Sequence, residues 1–214
     1  MLAFGFCSPE GTLGWDGVTR PCEGTLPTDG VTRAWSADDP FFVVRTLVDE
    51  LSHIRSGAGD RAEAQMVDVG AKPHTRRSAR ARAELSFPDG VLAAVREGAG
   101  PKGSLEALLE VARTAGILAA KRTGELIPMC HPLGVDHVAV AFTDDGGSRL
   151  VVEAEAACTG PTGVEMEALC AASVAALTVY DMTKALAKGI RIEAVHLVEK
   201  TGGKGGTWRA NPGD

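Results

Sequence analysis

The stretch that most constrains this chain begins at Gly160-Pro161-Thr162-Gly163 and runs on through Val164-Glu165-Met166-Glu167 to Tyr180-Asp181-Met182-Thr183-Lys184. Helix-breaking residues give way to a run, Ala168 to Tyr180, built almost wholly of Ala, Leu, Val, Ser and Thr. The pattern predicts one long helix from Thr162 to about Lys188, stopped by Gly189. A helix with so little charge on any side is packed on several sides. Its charges sit at its two ends. Thr162 followed three residues later by Glu165 matches a capping box, which accounts for Glu165 without any chemistry. Glu167 is not needed for that cap. Asp181 and Lys184, at i and i+3, form at minimum an ordinary helix-surface pair. Against so apolar a background they are expected to face an enclosed site. Glu167 and Asp181 are fourteen residues apart, hence about 21 Å along one helix. They cannot grip the same atom of a small molecule from one chain. Either there are two sites, or one site is assembled between subunits.

The rest of the chain supplies the cover such a helix needs. Arg77, Ala79, Ala81, Ala83, Leu85 and Phe87 alternate with Arg76, Ser78, Arg80, Arg82 and Glu84, the period of a strand with one apolar face. Pro88-Asp89-Gly90 ends it, and a short helix over Val91 to Val95 is expected. Ser104 is placed to N-cap a helix from Leu105 to Lys121, in which Leu105, Leu108, Val111, Ala112, Ala115, Leu118 and Ala119 recur at helical spacing. Thr123 to Leu133 reads as a loop whose two prolines, Pro128 and Pro132, hold Met129-Cys130-His131 on an extended path. Val138, Val140 and Phe142, then Leu150, Val152, Ala154 and Ala156, predict a hairpin turning at Asp144-Asp145-Gly146-Gly147. A last strand is expected over Ile190 to Val198. The order strand, helix, strand, strand, helix, strand predicts an α+β, ferredoxin-like (split βαβ) fold, an antiparallel sheet with helices packed on one face. Fold alone does not specify an activity.

Composition narrows the function. The net charge of −6 speaks against a nucleic-acid binder. No apolar run approaches the roughly 20 residues that span a bilayer, so no membrane role is expected. Met1 to Trp15 lacks the basic and apolar regions of a signal peptide. None of the five cysteines forms a CxxC pair. Cys158 and Cys170 sit among apolar neighbours as small hydrophobes. A reduced, cytoplasmic protein is expected. Residues 1–47 read differently from the remainder: Glu10-Gly11-Thr12-Leu13 and Asp16-Gly17-Val18-Thr19-Arg20 recur thirteen residues later. Two copies are too few to stack as a solenoid. The segment is expected to be a flexible N-terminal extension, or to lie upstream of the true start. Residues 48–214 are expected to form the catalytic domain.

Within that domain, Lys72, Arg76, Arg77, Arg80 and Arg82 fall close together without one acid, in a chain that is acidic overall. A solvated strand face explains any single one of them. Together with Lys102, Lys121, Arg122, Lys184, Lys200 and Lys204 near loops or element ends, they suggest an anionic, phosphate-bearing ligand. Thr201-Gly202-Gly203-Lys204-Gly205-Gly206 lets backbone N–H groups approach such a ligand, but it lacks the P-loop spacing. Cys130 and His131 have no partners at metal-ligand spacing, because His53, His74, His137 and His196 supply none. His131, on its braced loop, is a candidate for binding or acid–base work.

Longer segments carry a family resemblance. Met66-Val67-Asp68-Val69, Lys102-Gly103, Ala120-Lys121-Arg122-Thr123, Leu126 to Leu133, Thr162 to Leu169, Tyr180-Asp181-Met182-Thr183-Lys184-Ala185 and Gly202-Gly203-Lys204 occur in order. They closely resemble the cyclic pyranopterin monophosphate synthase family, the molybdenum-cofactor biosynthesis protein C (MoaC), over roughly Val48 to Trp208. The resemblance implies a ferredoxin-like subunit in a homohexamer, a trimer of dimers, with active sites between subunits. It implies a lyase that converts a cyclised dihydroguanosine 5′-triphosphate into cyclic pyranopterin monophosphate and diphosphate in molybdenum cofactor biosynthesis. No cofactor is required on this view, and Mg2+ with the triphosphate is left open. By position, Asp181 is similar to the family's catalytic aspartate, Lys184 to its lysine partner, and Lys102 to a second catalytic lysine. Met129, Cys130, His131, Met166 and Glu167 match residues around the substrate, and Lys200 and Lys204 match basic positions near the phosphates. Pro161 stands where the family commonly has Arg or Lys, and Thr201 and Gly205 replace frequent serines. Two other readings stand beside this one: another phosphate-ester lyase or hydrolase, and a nucleotide-binding regulator.

Overall fold

Small side chains on alternate residues of a strand allow a helix backbone to lie close on the sheet, and that contact organises the domain. A computed structural model of the chain describes residues 12–15, 18–21, 53–56, 62–98 and 103–211. The chain divides into two units, Met1–Leu51 and Ser52–Asp214. In the first, strands β1 (Thr12–Trp15) and β2 (Val18–Pro21) pair antiparallel, with Trp15 opposite Val18. The remaining residues of the expected extension lie outside the described ones.

In the second unit a short ribbon, β3 (Ile54–Ser56) with β4 (Ala62–Ala64), precedes the main sheet. The main sheet holds β5 (Thr75–Ser86), β6 (His137–Asp144), β7 (Arg149–Gly160), β8 (Arg191–Thr201) and β9 (Trp208–Arg209). The strand order is β6-β7-β5-β8-β9, with every neighbouring pair antiparallel. The helices are α1 (Val91–Arg96), α2 (Leu105–Lys121), α3 (Thr123–Leu126) and α4 (Glu165–Thr183). This is the expected split βαβ arrangement, with β9 added at one edge.

Register shows why the alternation worked. Ala79, Ala81, Ala83 and Leu85 of β5 stand opposite Ala156, Ala154, Val152 and Leu150 of β7, and all eight are buried. Ala168, Ala171, Ala172, Ala175 and Ala176 of α4 are buried in the same core. On the other face Arg80 pairs with Glu199 at 3.1 Å and Arg82 with Glu153 at 2.7 Å. For these two arginines the solvated-face reading holds. Arg77 behaves differently. It donates from Nε to the Gly160 carbonyl (2.9 Å) and from Nη2 to that of Pro161 (3.1 Å), tying β5 to the turn that leads into α4.

Three details depart from the sequence expectations. The loop after α2 begins with a helical turn, α3, where buried Thr123 bonds back from Oγ1 to the Ala119 and Ala120 carbonyls. Helix α4 starts and ends inside its expected bounds. Its N-cap is Val164, with no side-chain cap bond, so the Thr162–Glu165 capping box is absent. Glu165 occupies the first helical turn, not the third position that a box requires. Its carboxylate folds back over Gly163 and meets Lys200 at 3.3 Å. At the other end, Thr183 Oγ1 bonds to the Val179 carbonyl at 2.7 Å. The chain turns there instead of continuing to Lys188, although the same bond at Thr178, to the Val174 carbonyl, leaves the helix unbroken.

Helix α2 crosses α4 at Gly116. A Cβ there would lie 2.8 Å from the Ala171 carbonyl oxygen and 3.1 Å from Val140 Cγ2. Gly116→Ala must force the helices apart, and its unfolding free energy in urea is expected to fall by roughly 1–3 kcal/mol, the usual cost of overpacking.

Candidate active site

The turn braced by Arg77 delivers the start of α4 to a cavity of about 290 Å³. One wall is Thr162, Gly163, Glu165, Met166 and Glu167; a second is Met129, Cys130, His131 and Leu133; a third is Val67, Val69, Lys72 and His53. Local chemistry fixes the second wall. The Cys130 amide donates to the Ile127 carbonyl at 3.0 Å, closing a turn between the two prolines. Gly124 of α3 lets Pro132 approach, since a Cβ there would sit 3.1 Å from Pro132 Cα. A neighbouring cavity of about 390 Å³ shares Val69, His131 and Leu133 with the first and adds His74, Cys158, Thr159 and Pro161. His131 therefore stands on the partition between the two.

Five residues expected at a site from the sequence, Met129, Cys130, His131, Met166 and Glu167, are brought together here. Glu167 is only 3% exposed. Burial pushes its carboxyl above the ordinary range, and the neighbouring Glu165 charge adds to the effect. A carboxyl held this way is poised to donate a hydrogen bond as well as to accept one. Burial, and then the Glu167 charge, also raises the Cys130 thiol. Cys158 and Cys170 are raised by burial too. Cys130 and Cys158 are cavity-wall atoms and Cys170 a buried helix residue, and with raised pKa values all three are poor nucleophiles.

The other expected residues lie elsewhere. Asp181 and Lys184 close the far end of α4 with a 2.6 Å ion pair. Their side chains are 59% and 57% exposed, so within one chain the expected enclosure is absent. The Asp181 carboxylate, hydrogen-bonded to the ammonium, holds Lys184 above its ordinary value, and Lys184 starts as a cation. Lys200 does not line the cavity but reaches its rim through Glu165. Lys204 is exposed in the glycine loop. There Gly202 has φ +92°, and a Cβ would come 2.5 Å from the Arg76 carbonyl oxygen. Gly202 and Gly203 thus serve a close crossing over β5 whatever else they do. Lys102 lies outside the described residues. Among those residues, no group of three or more His, Cys, Asp or Glu side chains is placed to hold a metal ion.

Sequence reasoning missed His53, Val67, Val69, Thr162, Gly163 and Glu165 as cavity wall, while Lys72, which also lines it, was among the cations expected to meet an anionic ligand. Met66 to Val69 and Thr162-Gly163 stood within the resembling segments and gave a usable signal. His53 had none, because only the folding of the β3–β4 ribbon brings it there.

The family model described as the MoaC family matches residues 66–203. A protein of Novosphingobium aromaticivorans named cyclic pyranopterin monophosphate synthase is 54% identical over 165 residues, covering 76% of this chain and 99% of that protein. Proteins of the same name from Listeria welshimeri and Chloroflexus aggregans are 49% and 50% identical over 162 and 163 residues. Each alignment covers 76% of this chain, with 97% and 94% of the respective relatives.

The raised Glu167 carboxyl makes a stability prediction with a definite sign. Its folded pKa lies above the unfolded value of 4.5. The folded state therefore holds the proton more tightly, and stability falls as pH rises from 4.5 through the folded value. Glu167→Gln removes that loss. Thermal melts should show the variant equal to wild type at low pH and more stable at neutral pH, the gap widening between the two pKa values.

Proposed function

The chain belongs to the MoaC family, and from that premise we propose that it is a cyclic pyranopterin monophosphate synthase. It takes a cyclised dihydroguanosine 5′-triphosphate to cyclic pyranopterin monophosphate and diphosphate, a lyase step in molybdenum cofactor biosynthesis. The observation that carries the site assignment is the meeting of Met129-Cys130-His131 and Met166-Glu167 around one cavity. These segments are more than thirty residues apart in sequence, and they are the two that carry the family's substrate-contact pattern. The names of the relatives favour this reading over another phosphate-ester enzyme or a nucleotide-binding regulator.

In this assignment His131 and Glu167 hold the purine-derived ring and sugar. Met129 and Met166 supply the polarisable apolar surface that a flat ring packs against. Lys184, oriented by Asp181, is the proton-transfer group. Because its partner keeps it charged, its first act is to donate a proton or to stabilise developing negative charge. Lys102 is a second proton-transfer lysine, while Lys200 and Lys204 offset charge on the departing diphosphate. Lys200 reaches the phosphates by exchanging Glu165 for them. No resident cofactor is assigned; Mg2+, where present, arrives with the triphosphate.

A site that needs both Glu167 and Lys184 requires opposite ends of α4 from two subunits, since they lie seventeen residues apart, about 25 Å along one helix. Support comes from Leu177, which is 55% exposed and lies on the same helix face as Asp181 and Lys184, at i, i+4 and i+7. Val111, Leu118 and Leu126 are also exposed on the helix layer. Apolar surface beside the charged pair is what a subunit interface covers. We assign a homohexamer, a trimer of dimers, with sites at these contacts. No helix among the described residues is long and apolar enough to cross a membrane, and the three described free thiols suit a cytoplasmic setting. Catalysis is assigned to residues 48–214.

Two experiments test this. Incubation with the cyclised triphosphate should yield cyclic pyranopterin monophosphate and diphosphate in equal amounts, and removal of residues 1–47 should leave turnover within about twofold if that segment carries none of the fold. Release of inorganic phosphate alone would sink the synthase reading. For the shared site, Glu167→Ala and Lys184→Ala should each be inactive. Refolding them together should restore on the order of a quarter of wild-type activity, because one site in four receives both intact halves. No recovery would place both groups in one chain's site or in separate sites.

A further inference from the structure

We propose that His53 is a substrate-binding residue, its imidazole nitrogen supplying a hydrogen bond to the ring portion of the ligand held in the cavity at the start of α4. The inference rests on the synthase reading and adds a residue to the same site.

Three observations converge on it. His53 lines the cavity together with His131 and Glu167. It is held there by backbone, since its carbonyl accepts from the Gln65 amide at 2.9 Å and the next pair in register is Ile54 with Ala64. Residues 53 and 65 thus close the open end of the β3–β4 ribbon, and Val67 and Val69, two and four residues further on, complete the same wall. Finally, Nδ1 of His53 is shut off from solvent and has no hydrogen-bond partner among the described residues.

Buried polar atoms in folded proteins are nearly always paired, and an unpaired one is destabilising. Thr75 Oγ1 and Arg82 Nε are likewise buried without a partner among the described residues, but of the three residues His53 is the one that lines the cavity. At a cavity wall, the missing partner is what a ligand supplies. An imidazole can donate or accept, and a half-turn about Cβ–Cγ exchanges Nδ1 with a ring carbon without moving the backbone. The surrounding chemistry indicates which part of the substrate is involved. Lys72 is the one lysine or arginine among the described residues that line this cavity, which Glu165 also lines, while carboxyl groups, a threonine and methionine surface suit a flat heterocycle carrying N–H and C=O groups. His53 lies outside the residues matched by the family model, 66–203, so that match gives it no role.

The test compares steady-state kinetics of the full-length protein, His53→Ala and His53→Asn, with the cyclised dihydroguanosine triphosphate as substrate. Loss of one hydrogen bond that is equally strong in ground and transition states raises KM and leaves kcat. His53→Ala should therefore raise KM roughly tenfold with kcat within about twofold. His53→Asn, whose amide reaches the Nδ1 position, should recover most of the loss. Thermal melts should show neither variant less stable than wild type. An unchanged KM in His53→Ala would overturn the proposal and leave the synthase reading intact. So would a KM rise accompanied by a lowered melting temperature that Asn does not rescue, since that marks a structural role. Absence of turnover by the wild-type protein would overturn both.

Discussion

The contact on which this structure depends is the alanine interface between α4 and the central strands. Ala79, Ala81 and Ala83 of β5 and Ala154 and Ala156 of β7 present almost no side-chain depth, and α4 answers with Ala168, Ala171, Ala172, Ala175 and Ala176. Interfaces of small residues gain little from any one side chain. They bring backbones close together, and close-packed surfaces leave few alternative seatings. Gly116 extends the same logic to the crossing of α2 over α4. Helix α4 is thereby held at a fixed height above the sheet, and its two charged ends are held with it.

The N-terminal end is then set by polar contacts. Arg77 lies on the apolar side of its strand's alternation, yet it carries a guanidinium that takes up two carbonyls, those of Gly160 and Pro161. Those carbonyls precede α4 and lack helical partners, so the arginine satisfies groups that would otherwise be left over. The position matters because Thr162, Gly163 and Glu167 follow directly and form the cavity wall. A cation expected to meet an anionic ligand instead anchors the turn that shapes the site. Pro161, in the place of a more usual cation, offers its carbonyl to that anchor. The contact is to the main chain, which any residue at this position would retain.

Most of the fold was legible from the sequence because it rests on period and local chemistry. The alternation in β5, the helical spacing and Ser104 cap of α2, and the Asp144–Gly147 turn each depend on near neighbours. Ser104 does accept from the Ala107 amide, at 3.3 Å. Where the reading failed, a distant group had intervened. The capping box matched in composition, but the helix begins at Glu165 itself, with Val164 as N-cap, and the carboxylate meets Lys200 on β8; no local pattern reports a partner thirty-five residues away. Helix α4 also ends at Thr183, short of the expected Lys188, where no local pattern marks a stop. The site was legible in part for the same reason: the Met129–His131 and Met166–Glu167 walls fall in long distinctive segments, whereas His53 reaches the cavity only through the pairing of a three-residue ribbon.

The contrast between the two ends of α4 carries the argument about assembly. At one end a carboxyl is so enclosed that burial raises its pKa; at the other an acid and a base of opposite charge stand mostly in solvent. A pair so exposed is a weak proton-transfer device, since water competes for both groups and screens their interaction. Enclosure by a second surface would change that. It would strip water from the pair, strengthen the field of Asp181 on Lys184, and bring the lysine beside groups that can use it. Leu177, one turn before Asp181, already offers apolar area for such a surface. A single subunit thus holds an enclosed cavity wall at one end of α4 and a solvent-exposed charged pair at the other, and on the proposed function the two are complementary in what each lacks.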